Sequence, residues 1–237
     1  MRLKLFLFSI VALAMGSAAH AQDNESGVTD VSGSPEIRYA SGVTPAADPE
    51  NTLLLDLSTG GRVTIRLRPD AAPGHVERIK TLTRQGFYNG IIFHRVIEGF
   101  MAQTGDPTGT GQGGSQLPDL PSEFTTLPHV RGTVSMARAT DPNSANSQFY
   151  IMFMPNLGLD RNYTAFGRVT GGMQYVDAIP RGEPPANPAR IIRASIGSDN
   201  VPPPTAAEIA AFNQPPANDQ AAALEAALGE LAGETPQ

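Results

Sequence analysis

Apolar and polar residues alternate through the opening of the chain's body. Leu53, Leu55 and Leu57 take every second position, residues 58–61 interrupt, and Val63, Ile65 and Leu67 resume against Arg62, Thr64, Arg66 and Arg68. Successive strand side chains point to opposite faces, so this pattern predicts an antiparallel hairpin buried on one side. The period then lengthens. Val76, Ile79 and Leu82 recur along one side of a helix whose first turn includes Pro73, with Asp70 placed to cap it and Gly86 to end it. Beyond it the apolar runs are short. The runs on either side of Glu98-Gly99 read as two strands joined at a tight turn, 130–138, 149–154, 165–169 and 189–196 as further strands, and 172–179 as a short helix. Residues 105–122 are a loop studded with Gly and Pro. Many short strands with two helices predict a barrel or sandwich.

The turn at Glu98-Gly99 gathers the candidate chemistry. Behind it, the period of two places Met101 and Gln103 on one face and Phe100 and Ala102 on the other. The same alternation puts Gln148 and Tyr150 on one face of a later strand. Three ordered blocks carry these residues: FHRVIEGFMAQTGDPTGTGQGG over 93–114, SMAR over 135–138 with NSQFYI over 146–151, and LDRNYTAFGRV over 159–169. Together they resemble the signature of the cyclophilins, peptidyl-prolyl cis/trans isomerases. That resemblance implies a mainly β fold, an eight-stranded closed antiparallel barrel capped by two α-helices, occupying 52–197. It also implies an enzyme that turns X-Pro peptide bonds without cofactor or metal, and a monomer is the expected state.

Such a reaction crosses a barrier of about 20 kcal/mol set by amide resonance. No bond breaks, so the catalyst needs an apolar socket for the proline ring, donors for the flanking carbonyls, and a cation or donor that favours the twisted amide. Twisting localises a lone pair on the prolyl nitrogen, and a guanidinium aimed there stabilises the transition state selectively. By resemblance, Arg95 is that donor, with Gln103 orienting it or a substrate carbonyl. Phe100, Met101, Tyr150 and Leu159 form the socket. Ala137, Arg138 and Gln148 line the groove for residues preceding the proline, and Tyr163 completes the substrate-binding set. His94 is adjacent to Arg95 but alternates to the opposite face, which favours a structural histidine over a general base.

The sequence departs from the family at the groove rim. Tyr150 stands where Phe is common, Tyr163 where many members have His, Arg138 where Asn is common, and Gly158 where an aromatic, often Trp, precedes the Leu-Asp pair. Cyclosporin binding in the family is associated with that Trp, so the resemblance implies poor sensitivity to the drug. The alternative reading is a catalytically weak peptide-binding or chaperone module using the same groove. Retention of Arg95, Gln103 and Phe100 favours the enzyme. Residues 109–114 match the glycine pattern of a dinucleotide-binding turn, but Pro118 and Pro121 leave no helix directly after it.

Composition adds the surroundings. The chain has no cysteine, which excludes disulfides and thiol nucleophiles, and its four histidines, His20, His75, His94 and His129, are too scattered for a metal site. Arg2 and Lys4 precede the apolar run 5–15, and Ala19-His20-Ala21 closes it with small residues, the pattern of a secretory leader over 1–21 cleaved after Ala21. The run falls short of the roughly 20 apolar residues of a membrane span. The expected location is periplasmic or secreted, with no membrane association after cleavage. Residues 22–51 carry six acids and one Arg and read as a flexible linker, while 198–237 carry six acids and no base as a Pro- and Ala-rich tail. The body between them holds fourteen bases against eleven acids, and nothing suggests nucleic-acid binding. The expected partners are proline-containing polypeptides and unfolded exported proteins.

Overall fold

A computed structural model describes residues 47–213. The leader, most of the linker and the stripe of Leu224, Leu228 and Leu231 read as a helix in the tail lie outside the described residues. Strands β1 (Thr52–Leu57) and β2 (Gly61–Leu67) form the expected hairpin. Leu53, Leu55, Leu57, Val63 and Ile65 are all fully buried. Then come α1 (Pro73–Arg84), β3 (Arg95–Ile97), β4 (Met101–Thr104), β5 (Thr133–Met136), β6 (Phe149–Met152), β7 (Ala165–Gly171), α2 (Met173–Asp177), β8 (Ile191–Ile196) and α3 (Ala206–Phe212).

The eight strands make one antiparallel sheet in the order β3-β4-β6-β5-β7-β2-β1-β8. It is a curled half-barrel. Among the described residues no ladder joins the two end strands, β3 and β8. The segments leading into them meet instead, through the bridge Ile92↔Arg190 and the bonds Phe93 N–H to Ala189 O and Ile191 N–H to Ile91 O, each 2.9 Å.

Burial explains the curl. Val63, Ile65, Val96, Ala102, Val134, Phe149, Ile151 and Phe166 share one cluster with Val76, Ile79 and Leu82 of α1, so the concave face is the core. α1 packs on β8, and α2 on β2. The cap of α1 differs from expectation. Asp70 is taken by Arg68, at 2.8 and 2.6 Å, and the residue before the helix, Ala72, has no side chain to cap with. The free amides of Gly74 and His75 instead donate to the two carboxylate oxygens of Glu123, both at 3.0 Å, and His75 Nδ1 lies 2.6 Å from Oε2. A carboxylate suits a helix N-terminus, where free N–H groups and the helix dipole both favour negative charge. α3 opens with a capping box, Thr205 and Glu208 bonding to each other's backbone amides.

Candidate active site

The other face of the sheet carries the site. Pairing across β3, β4, β6 and β5 sets Arg95 opposite Gln103, Gln103 opposite Tyr150, and Tyr150 opposite Ser135. Directly opposed residues in antiparallel strands share a face. One row of side chains therefore runs across four strands, while their neighbours Val96, Ala102, Ile151 and Val134 point into the core. Met101 and Met152 form the adjacent row. With Tyr150 they make a second buried cluster, distinct from the core, against which Ile97, Phe100, Ala137, Leu159 and Tyr163 pack. That is an apolar socket.

Nine of the ten sequence-predicted residues line one cavity of about 280 Å³: Arg95, Phe100, Met101, Gln103, Ala137, Arg138, Tyr150, Leu159 and Tyr163. The tenth, Gln148, lines an adjoining cavity of about 530 Å³ that shares Gln103, Ala137 and Arg138 with the first. A larger cleft, about 670 Å³, is lined by Arg66, Arg68, Arg168 and neighbours and contains none of the predicted residues. Phe100 corrects the alternation reading. It sits in the turn before β4 begins, so the strand period does not bind it and its ring reaches the Met101 side. Gly99 makes that turn with φ +68°, a left-handed conformation that suits glycine.

Gln103 and Gln148 are held as a pair. Gln103 Nε2 donates to Gln148 Oε1 at 2.8 Å, and Gln148 Nε2 donates to the carbonyls of Gly111 and Gly113 at 3.0 and 2.8 Å. The glycine loop that supplies those carbonyls is folded around Asp106. Its carboxylate, with the residue 1% exposed, accepts from Thr108 N–H and hydroxyl, each 2.7 Å, and from Gly111 N–H at 2.6 Å. Burial alone would raise the Asp106 pKa, but the Thr108 bonds and the Gly113 and Gly111 amides outweigh it and hold it at about 2. Asp106 was missed in the sequence as a functional residue. Its signal was the Asp-Pro-Thr-Gly run, an Asp able to bond the backbone two residues on.

Arg95 is held differently from expectation. Its hydrogen bond runs from Nε to Glu183 Oε2, 2.7 Å, while Gln103 is engaged with Gln148. Glu183 lies 88 positions away in a loop no motif singled out, and nothing in the sequence pointed to it. Arg138 closes the far wall. Its guanidinium sits 4.5 Å over the Tyr163 ring and donates to the carbonyls of Ala139, Thr140 and Asn162. Tyr163 meets Tyr150 edge-on at 6.1 Å. Leu159 ends a 3₁₀ turn, Leu157–Leu159, that leaves the rim open at Gly158.

Below the socket, Asp160 accepts from His129, whose backbone N–H and Nδ1 lie 2.8 and 2.9 Å away, and His129 Nε2 lies 3.1 Å from Ser135 Oγ. The buried Tyr150 hydroxyl sits beside Ser135 without a hydrogen-bond partner among the described residues. Burial raises its pKa and keeps the phenol neutral. An unmet buried polar group costs about 1–3 kcal/mol. Tyr150→Phe is therefore expected to stabilise the protein by about 1 kcal/mol, read from urea denaturation. A loss of similar size would mean that the hydroxyl has a partner after all. His94 is buried with its pKa pushed down, chiefly by burial, and its ring lies beside the glycine loop, where a Cβ at Gly111 would be 3.7 Å away and where Asp106 pulls the pKa the other way.

An apolar socket with a guanidinium at its lip thus lies on the outer face of a curled antiparallel sheet. Residues 54–196 match the family described as cyclophilin type peptidyl-prolyl cis-trans isomerase/CLD. The chain belongs to that family and is a peptidyl-prolyl cis-trans isomerase. A Brucella suis relative named a probable peptidyl-prolyl cis-trans isomerase is 52% identical over 170 residues, covering 65% of this chain and 86% of that one. Among solved structures, cyclophilin AquaCyp293 from Hirschia baltica is 31% identical with a TM-score of 0.61, over 66% of this chain and 77% of that one. A cyclophilin type peptidyl-prolyl cis-trans isomerase from Cryptosporidium parvum, solved in the presence of the dipeptide Ala-Pro, is 28% identical with a TM-score of 0.58, over 61% and 98%.

Proposed function

We propose that the row Arg95–Gln103–Tyr150 with its apolar socket is the catalytic centre, and that it turns X-Pro bonds in exported polypeptides. The observation that carries this is the pairing register, which brings residues from separate sequence blocks to one face beside the Met101 cluster. The proline ring seats among Phe100, Met101, Tyr150 and Leu159, under Tyr163. Arg95 donates to the prolyl nitrogen as the amide twists and its lone pair localises, an interaction made only at the transition state. Gln103, fixed by Gln148, holds the carbonyl before the proline. Ala137 and Arg138 guide the preceding residues through the adjoining cavity. Similarity to a relative solved with Ala-Pro supports a proline-containing substrate. Closure of the curled sheet into a complete barrel is the reading favoured by the 90–93 and 189–191 pairing.

The leader pattern supports export, and with it a role in folding outside the cytoplasm. Two measurements test this. The mature protein recovered from the cell envelope fraction should begin at Gln22, and it should speed refolding of a protein whose slow phase is prolyl isomerisation. Recovery of the uncut chain from the cytoplasm would overturn the export reading.

The open rim carries a prediction about inhibition. A Cβ at Gly158 would meet only Asn156 Oδ1, at 3.2 Å, so a side chain can start there with a small shift. Wild type is expected to resist cyclosporin, and Gly158→Trp to bind it more tightly by about tenfold, the worth of one regained hydrogen bond. Titration of both proteins during isomerisation decides it, and tight inhibition of the wild type would refute the rim assignment.

A further inference from the structure

The loop between α2 and β8 is fastened onto edge strand β3. Val96 N–H donates to Gly182 O at 2.8 Å, and Gly182 N–H returns the bond to Val96 O at 2.9 Å. Gly182 has φ +146°, and a Cβ there would lie 2.6 Å from Pro185 Cα, so the close approach requires glycine. Ion pairs flank this bridge on both sides. Arg181 Nε donates to Glu98 Oε2 at 2.7 Å, with its guanidinium 4.3 Å over the Phe153 ring. Glu183 accepts from Arg95 Nε, also at 2.7 Å. Two acid–base pairs of opposite polarity thus lace one short loop to the β3–β4 hairpin.

The second pair is the unusual one, because Arg95 also lines the socket. Glu183 does not line it and approaches the guanidinium through Nε, the nitrogen nearest the side-chain stem. The two terminal amino groups make no hydrogen bond within the protein among the described residues. A guanidinium is a planar fork, so fixing one N–H fixes the direction of the others.

We propose that Glu183 is the positioning residue for Arg95, clamping Nε from outside the socket so that the terminal nitrogens face the twisting amide. The inference rests on the reading of Arg95 as the transition-state donor and adds what aims it. Glu183 itself touches no substrate. Its effect belongs in kcat and not in KM, because the aimed interaction forms only as the bond turns.

The pair is part-exposed, Arg95 41% and Glu183 52%, which places it among modest ion pairs. Glu183→Ala is expected to lower kcat on a short Ala-Pro peptide by about three- to fivefold with KM little changed. Glu183→Gln should lose most of the same factor, since the neutral amide is the weaker acceptor. In ¹⁵N spectra the Arg95 Nε–H signal should shift and exchange faster with water in both variants. In an Arg95→Ala background, adding Glu183→Ala should cost nothing more, because the coupled partner is already gone. Unchanged or faster turnover in Glu183→Ala would overturn the proposal. The same loss repeated in the Arg95→Ala background would overturn it too, by making the loop's role purely structural. Full turnover by Arg95→Ala alone would instead remove the reading beneath it, and that variant is measured separately.

Discussion

Replacing Arg95 with alanine is expected to lower kcat/KM for prolyl isomerisation by about 10²–10³ while leaving the fold intact. Removing one preorganised donor aimed at developing charge costs about 2.7–4 kcal/mol in comparable sites. The fold should survive because Arg95 is on the outer face and its neighbour Val96, 2% exposed, carries the core contact. Arg95→Lys should recover little, since a point charge cannot be gripped at one nitrogen and aimed with two others. The check is a protease-coupled assay on short X-Pro peptides, with far-UV circular dichroism on the same samples. Near-normal turnover by folded Arg95→Ala would refute the mechanism.

Acid should weaken the protein through Asp106. Its native pKa, about 2, lies below the ordinary 3.8. A depressed carboxylate stabilises the folded state fully above its unfolded pKa, and the contribution is lost as pH falls through 3.8 towards 2. The gap corresponds to about 2–3 kcal/mol. Asp106→Ala should remove that stability at neutral pH and flatten the pH dependence between 4 and 2, measured by urea denaturation at several pH values. It should also reduce kcat/KM by about tenfold or more, because the loop carbonyls that fix Gln148, and through it Gln103, lose their anchor. His75 adds a separate acid sensitivity at higher pH. Burial depresses its pKa below 6.5 against the pull of Glu123, so the unfolded state takes up the proton first and stability falls as pH drops below 6.5.

How much of this the sequence disclosed follows from the range of the forces involved. Alternation and helix period are local, and they located the β1–β2 hairpin, α1 and the four strands from β5 to β8 to within a few residues. The three ordered blocks named the socket residues because each block folds as a strand or turn that keeps its own side chains in register. Contacts between distant segments were invisible. Asp70 lies two residues before the cap position, Ala72, and pairs with Arg68, so α1 is capped by Glu123, 49 positions from Gly74 and beyond any local pattern. Glu183 reaches Arg95 only because Gly182 bridges Val96. Phe100 was placed on the wrong face because a period of two holds only inside a strand, and β4 starts one residue later.

The separation of core and socket by a single pleat has a consequence for how the enzyme can change. In β4 and β6, odd and even positions answer to different constraints: Ala102, Phe149 and Ile151 fill the interior, while Met101, Gln103 and Tyr150 line the socket. Point substitutions at outward positions such as Met101 would reshape the socket without touching the packed interior. A deletion of one residue within β6 does the opposite. It turns Tyr150 inward and Phe149 outward, trading the two surfaces in one step. These strands should therefore tolerate exchange of side chains better than change in length, which the loops at their ends can absorb.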